Sequence, residues 1–85
     1  MTDSTKALLA CLRKFWRLSV ERKYHFWHEN DKDWLNTSLD STIKYSKLSK
    51  EVVLEALESL KAFDFIDYFV ETYEGREMLR FSNNW

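Results

Sequence analysis

The chain has 85 residues, of which 45% are hydrophobic and 16% aromatic. This length predicts one domain over residues 1–85 with a small core, and the hydrophobic content excludes an intrinsically disordered chain. One glycine and no proline exclude collagen-like and turn-rich designs, and a single Cys11 excludes an internal disulfide. Because no apolar run is long enough for a membrane span or a signal peptide, we expect a cytoplasmic protein without a membrane partner.

Charge is divided unevenly along the chain. The net charge is −1, but residues 1–28 carry +4 and residues 29–85 carry −5. This asymmetry indicates either a charged partner for one face or head-to-tail contact between copies. The alternative is that the two parts interleave in a compact fold, so that their charges mix.

The first predicted helix spans Ser4 to about Val20, with Asp3 or Ser4 as its cap. On a helical wheel the apolar residues form one broad arc, made of Leu8, Cys11, Leu12, Phe15, Trp16 and Leu18. The opposite side carries a basic stripe of Lys6, Arg13 and Arg17. Arg22 and Lys23 fall inside the apolar arc, so we expect the helix to end near them.

The segment after this helix mixes aromatic and polar residues. Lys23–Trp27 has the aromatic content of a strand, and Glu29–Asp33 is typical of a turn. We expect an irregular connection that ends in a short strand at Trp34–Asn36. The alternative is that the first helix continues through His28.

The next part predicts two helices separated by a tight break. Thr37 or Ser38 caps the second helix, and the break follows at Ser46–Ser49. Ser49 then caps a third helix that extends to about Phe63.

A hairpin completes the predicted fold. Phe65–Tyr73 and Arg76–Phe81 are strand-like and flank Glu74 and Gly75, the only glycine of the chain. A two-residue hairpin turn needs positive φ at this place. When Tyr73 pairs with Arg76, one face of the hairpin is more apolar than the other. Its residues are Tyr68, Val70, Leu79 and Phe81.

This order of elements resembles the winged helix-turn-helix family, most clearly over residues 37–81. The run Leu48–Ile66 is similar to the turn, recognition helix and wing entry of that family, whose core positions correspond to Leu48, Val53, Leu57, Leu60 and Ile66. Asp64 departs from the family's usual glycine, although aspartate tolerates left-handed backbone geometry. The resemblance implies a mainly α fold (α+β) of three helices plus a small C-terminal β-hairpin, the wing.

A weaker likeness extends to phage and plasmid replication proteins. Trp34–Ser38 and the aromatic end Phe81–Trp85 are similar to winged-helix modules in those proteins. Together the resemblances imply double-stranded DNA binding in transcription or replication control. The third helix would enter the major groove.

The implied DNA surface has two sets of residues. The resemblance implies phosphate contacts by Lys44, Lys47, Lys50, Arg76 and Arg80. It implies that the residues facing the bases are Ser49, Glu51, Leu54 and Glu55. The alternative interpretation of the lysines is a solvated surface.

Carboxylates on the third helix oppose this interpretation. Glu51, Glu55 and Glu58 lie opposite the apolar positions of that helix, where they would repel phosphate and offer guanine no bidentate donor. They are either a solvated face or the contact surface of a protein-interaction module that does not read DNA. The basic stripe, Lys6, Arg13 and Arg17, is either solvated, in contact with DNA, or matched to the acidic helix of a second copy. A homodimer through the first helix is also consistent with it.

The sequence does not predict an enzyme, a cofactor or a metal site. His25 and His28 are three residues apart, but structural zinc requires a fuller ligand set. Cys11 lies on the apolar arc, which favours a buried, inert thiol over a nucleophile. One glycine does not allow a phosphate-binding loop.

Overall fold

The computed structural model describes residues 1–22 and 26–85. Within these ranges the chain is an α+β protein with three helices and a four-stranded antiparallel sheet of order β1-β2-β4-β3. The elements in chain order are α1 (Asp3–Arg22), β1 (Phe26–Glu29), β2 (Lys32–Ser38), α2 (Leu39–Ser46), α3 (Lys50–Ala62), β3 (Ile66–Tyr73) and β4 (Arg76–Asn83). No helix of the described ranges is both long enough and apolar enough to cross a membrane.

The first helix begins with a different cap from the predicted one. The Thr2 hydroxyl accepts a hydrogen bond from the Thr5 backbone N–H at 3.1 Å. The prediction of Asp3 or Ser4 as the cap was therefore wrong, because the helix already includes Asp3. The helix also includes Arg22, whereas residue 23 of the predicted end lies outside the described residues.

The two following helices are capped as their sequence predicts. The Ser38 hydroxyl accepts from the Ser41 backbone N–H at 3.0 Å, and the Ser49 hydroxyl accepts from the Val52 N–H at 3.3 Å. Lys47 has a left-handed φ of 61° and ends α2. This reversal confirms the predicted break between α2 and α3.

A hairpin replaces the predicted irregular connection. The second strand is longer than the predicted Trp34–Asn36 and pairs with β1. Its turn consists of Asn30 (φ 55°) and Asp31 (φ 61°), two residue types that tolerate left-handed geometry without a glycine. Since β1 begins at Phe26, the alternative of a helix continuing through residue 28 was wrong.

The C-terminal hairpin has the predicted register. Tyr73 lies opposite Arg76, and the turn residues Glu74 and Gly75 have positive φ values of 50° and 79°. Asp64 adopts a left-handed φ of 62° after α3, as its sequence position requires. The last strand extends beyond its predicted end at Phe81 to Asn83, because Asn83 pairs with Ile66 of β3.

The core lies between the helices and one face of the sheet. Pairing of β2 with β4 places Leu35 opposite Phe81, and Trp16 of α1 contacts the Phe81 ring at a centroid distance of 5.8 Å. The fully buried large side chains include Leu8, Leu12, Leu39, Val53, Leu57, Leu60, Ile66 and Leu79. The predicted α+β class is therefore confirmed, but the single small hairpin is wrong, since two hairpins join into one sheet.

Truncation of Phe81 tests this arrangement. The Phe81→Ala variant should lose about 3–5 kcal/mol of unfolding free energy, because it leaves a cavity between α1 and the sheet. Phe69→Ala removes the same ring from a side chain that is 53% exposed, and it should cost about 1 kcal/mol or less. Urea unfolding followed by tryptophan fluorescence measures both. Equal losses would contradict the assignment of the core to one face of the sheet.

Candidate functional site

The predicted phosphate-binding residue Lys50 is held by an ion pair. Its Nζ atom lies 2.5 Å from Glu77 Oε1, which ties the start of α3 to the start of β4 beside Arg76. The hydrogen bond to Glu77 and the charge of that carboxylate raise the pKa of Lys50. The structure thus brings Lys50 and Arg76 to one end of the molecule, but the charge of Lys50 is neutralised there.

Three other predicted phosphate contacts lack such a partner. Among the described residues, no ion pair is formed by Lys44, Lys47 or Arg76. The Lys44 ammonium lies 5.8 Å from the ring centroid of neighbouring Tyr45. Lys44 and Lys47 precede the N-terminal end of α3, where backbone N–H groups also favour anions, whereas Arg76 lies four residues before Arg80 on β4 and therefore on the same side of the strand.

Arg80 lies apart from the lysines of α2 and α3, on the outer face of the sheet. Its guanidinium stacks 3.6 Å from the Trp27 ring centroid and lies 3.2 Å from a Glu71 carboxylate oxygen. Its Nε also donates to Asn36 Oδ1 at 3.2 Å. The neighbours of Arg80 on β4 face the core, so the structure does not bring Arg80 together with the lysines of α2 and α3.

The outward face of α3 is acidic, as its sequence predicts. Glu51, Glu55 and Glu58 are exposed, whereas Leu54 is half-buried against the core. Glu58 accepts a hydrogen bond from the Tyr68 hydroxyl. Burial and then Glu58 itself raise the pKa of Tyr68 to about 12, so this hydroxyl remains a donor at neutral pH. Ser49 was also predicted to face the bases, but its hydroxyl caps the helix instead.

Acidic groups outnumber basic ones across this surface. Asp40 lies close enough to raise the pKa of Lys50, and Glu74 lies in the wing turn. The cations are Lys44, Lys47, Lys50 and Arg76, and the carboxylates are Asp40, Glu51, Glu55, Glu74 and Glu77. A duplex phosphate backbone would therefore meet a surface without a net positive charge.

A positively charged surface without carboxylates lies on α1 instead. A groove of about 630 Å³ runs along this helix, and no carboxylate lines it; we call it the basic groove, and its residues are Lys6, Leu9, Ala10, Arg13, Lys14, Arg17 and Trp85. The Arg13 guanidinium lies 5.5 Å from the Trp85 ring centroid. The predicted basic stripe is thus one wall of a groove, and the chain end supplies an indole that is 40% exposed.

The outer sheet face carries a network that the sequence analysis missed. Trp34 stacks on Phe69 at a centroid distance of 5.2 Å and donates from Nε1 to the Glu29 carbonyl at 3.0 Å. An ion pair between Lys32 and Asp67 crosses the same face. The alternation of residues along β2 predicts which of its side chains lie on this face. Their partners on β3 cannot be predicted in the same way, because they depend on the order of the strands in the sheet.

The candidate metal ligands are His25 and His28, and the candidate nucleophile is Cys11. His28 Nδ1 lies 3.0 Å from Asp33 Oδ1, and His25 lies outside the described residues. Within residues 1–22 and 26–85, no three His, Cys, Asp or Glu side chains form a group that could hold a metal ion. Cys11 is half-buried, and burial raises the pKa of its thiol to about 11 against a smaller opposing effect of Lys14.

Comparison with known proteins finds no family model, no curated protein and no solved structure that matches this chain. The site must therefore be interpreted from its own geometry and charge.

Alkylation of Cys11 tests the assignment of an unreactive thiol. A pKa raised from 9.0 to about 11 leaves about 100-fold less thiolate at neutral pH, so iodoacetamide should react that much more slowly with the folded chain than with the urea-unfolded chain. The rate should rise with pH up to about 11. The raised pKa stabilises the fold below pH 9.0, and this contribution is lost as the pH rises through 11. Equal rates in the two states would contradict the assignment.

Proposed function

We propose that this chain is a winged-helix domain that binds a basic protein surface through the outward face of α3. Three features support the winged-helix arrangement: the capped turn between α2 and α3, the C-terminal hairpin, and the pairing of β2 with β4. In this arrangement β1 is an added edge strand. Since fold alone does not define function, the choice of partner rests on the charge of the site.

The observation that carries the proposal is the acidic outward face of α3. Glu51 and Glu55 are exposed at the positions that a DNA-binding helix would turn towards the bases. The cation nearest to them along the helix, Lys50, is paired with Glu77. A major groove is flanked by phosphates on both sides and would repel this face, whereas a lysine- or arginine-bearing protein surface would be attracted to it.

A synthetic helical peptide with lysines at positions i, i+4, i+7 and i+11 is the probe for this proposal. We expect NMR titration of the chain with the peptide to shift the amide signals of α3, because the carboxylates Glu51, Glu55 and Glu58 attract the lysines. Glu55→Lys should abolish these shifts. Glu21→Lys makes the same charge change on an exposed residue of α1 and should preserve them.

Two results would overturn the proposal. The peptide could shift signals outside α3, or it could bind the Glu55→Lys and Glu21→Lys variants with equal affinity. Either result would show attraction to net charge rather than a specific α3 surface.

Duplex DNA binding, in transcription or replication control, is the second candidate function. The observation that favours it is the group of three cations without ion-pair partners in the described residues, namely Lys44, Lys47 and Arg76. Lys44 and Lys47 lie on α2 and on the turn before α3, and Arg76 begins the last strand of the C-terminal hairpin, which match the phosphate-contacting flank and wing of a helix-turn-helix domain.

A salt titration of duplex binding separates the two functions. We expect the wild-type chain to show no measurable duplex affinity at low salt, and Glu51→Lys/Glu55→Lys to gain it, because the double substitution removes the phosphate-repelling charges. Fluorescence anisotropy with a labelled duplex measures the affinity. If the wild type binds, and Lys44→Ala/Lys47→Ala lowers the slope of log affinity against log salt by about 2, DNA binding replaces the first proposal.

A further inference from the structure

The basic groove and the acidic face of α3 share one residue spacing. On α1 the exposed residues at intervals of four, three and four are Lys6, Ala10, Arg13 and Arg17. On α3 the exposed residues at the same intervals are Glu51, Glu55, Glu58 and Ala62. Steps of four, three and four keep side chains on one side of a helix, so each set is a straight stripe about 16 Å long.

We propose that the basic groove of one copy of this chain binds the acidic α3 stripe of a second copy. This inference rests on the proposed function and names the basic partner of α3. The groove supplies only positive charge, and the α3 stripe supplies only negative charge, so the surfaces are complementary between copies and repulsive between like surfaces.

The equal spacing lets two charge pairs form at once. With the two helices antiparallel, Arg17 lies against Glu51 and Arg13 against Glu55. A small alanine within each stripe, Ala10 on α1 and Ala62 on α3, allows the two helices to approach closely. Exposed ion pairs contribute little individually, so the two pairs need apolar contact beside them for a stable interface.

Exposed aromatic side chains lie beside both stripes and supply apolar contact. Trp85 is 40% exposed within the basic groove, and Phe63, directly after the α3 stripe, is 58% exposed. Burial of rings of this kind contributes more to association than the charges do, whereas the charges determine which surfaces meet.

The proposed contact is heterologous, because the groove and the stripe are different surfaces of one chain. Each copy therefore presents a free groove at one end and a free stripe at the other. A single-stranded nucleic acid is the other occupant that a basic groove with a tryptophan would suit. It is the less favoured occupant, because it leaves the equal spacing of the acidic stripe without a role.

Charge exchange between the two stripes tests the inference. In sedimentation velocity at about 50 mM salt, we expect the average mass of the wild-type chain to rise with concentration, and to fall again when salt is raised to screen the contact. Arg13→Glu/Arg17→Glu and Glu51→Lys/Glu55→Lys should each weaken self-association by about tenfold or more. The variant with all four substitutions keeps the net charge of −1 and should self-associate again, since the two pairs, Arg13 with Glu55 and Arg17 with Glu51, have only exchanged their charges.

The controls distinguish loss of the proposed contact from effects of misfolding or of a changed net charge. Glu29→Lys/Glu74→Lys makes the same charge change as the α3 variant but lies at exposed residues of the two hairpins, and it should leave self-association unchanged. Circular dichroism confirms that each variant is folded. The fourfold variant also excludes misfolding as the cause of weaker association, because a destabilised chain would not regain association when two further substitutions are added.

Several outcomes would overturn the inference. A wild-type chain that remains monomeric at millimolar concentration and low salt would do so, as would a fourfold variant that fails to associate while both double variants are folded. Binding of a single-stranded oligonucleotide by a monomeric wild type, lost in Arg13→Glu/Arg17→Glu, would assign the groove to nucleic acid instead. If the chain is monomeric but the lysine-bearing peptide still binds α3, only the inference fails; if the peptide also fails to bind, the proposed function fails with it.

Discussion

The pairing of β2 with β4 is the constraint on which the rest of the structure depends. It joins parts of the chain that are 42 to 46 residues apart, because Leu35 lies opposite Phe81 and Thr37 opposite Leu79. Both hairpins then become one sheet, and the Phe81 ring becomes the surface against which Trp16 of α1 packs. Without this ladder each hairpin would be a two-stranded ribbon, which is marginal in water on its own.

The alternation along β4 also determines which cations are available for binding. Leu79 and Phe81 face the helices, so Arg80 must face the other side, where Glu71 and Trp27 hold its guanidinium. Glu77, at the start of the same strand, lies beside α3 and pairs with Lys50. One strand therefore fixes the partners of two of the predicted phosphate contacts.

Features that depend on neighbouring residues could be predicted from the sequence, and features that depend on distant pairing could not. Ser38 and Ser49 cap their helices within three residues of themselves, and Gly75 specifies its own turn, so these were confirmed. The first hairpin was missed because its turn has no glycine; the pair Asn30 and Asp31 was the available signal. The partners of Arg80 could not be predicted, since the bond to its β2 partner spans 44 residues.

The uneven distribution of charge along the sequence is retained in the fold. Ion pairs of lysine and arginine lie within residues 32–80 and include Lys32–Asp67, Lys50–Glu77 and Arg80–Glu71. The lysines and arginines of the basic groove take no part in them. The acidic part of the chain thus pairs Lys32, Lys50 and Arg80 with its own carboxylates, and it leaves the carboxylates of α3 in excess.

This separation has a structural cause. α1 and α3 both bury one apolar side in the same core, so each must turn its opposite side towards solvent. The opposite side of α1 is basic and that of α3 is acidic. The two helices cannot neutralise each other within one molecule, because their charged sides point away from the core that they share. A protein partner of opposite charge for either surface must therefore come from another molecule, and in the proposed contact it is the surface of opposite charge and equal spacing on a second copy.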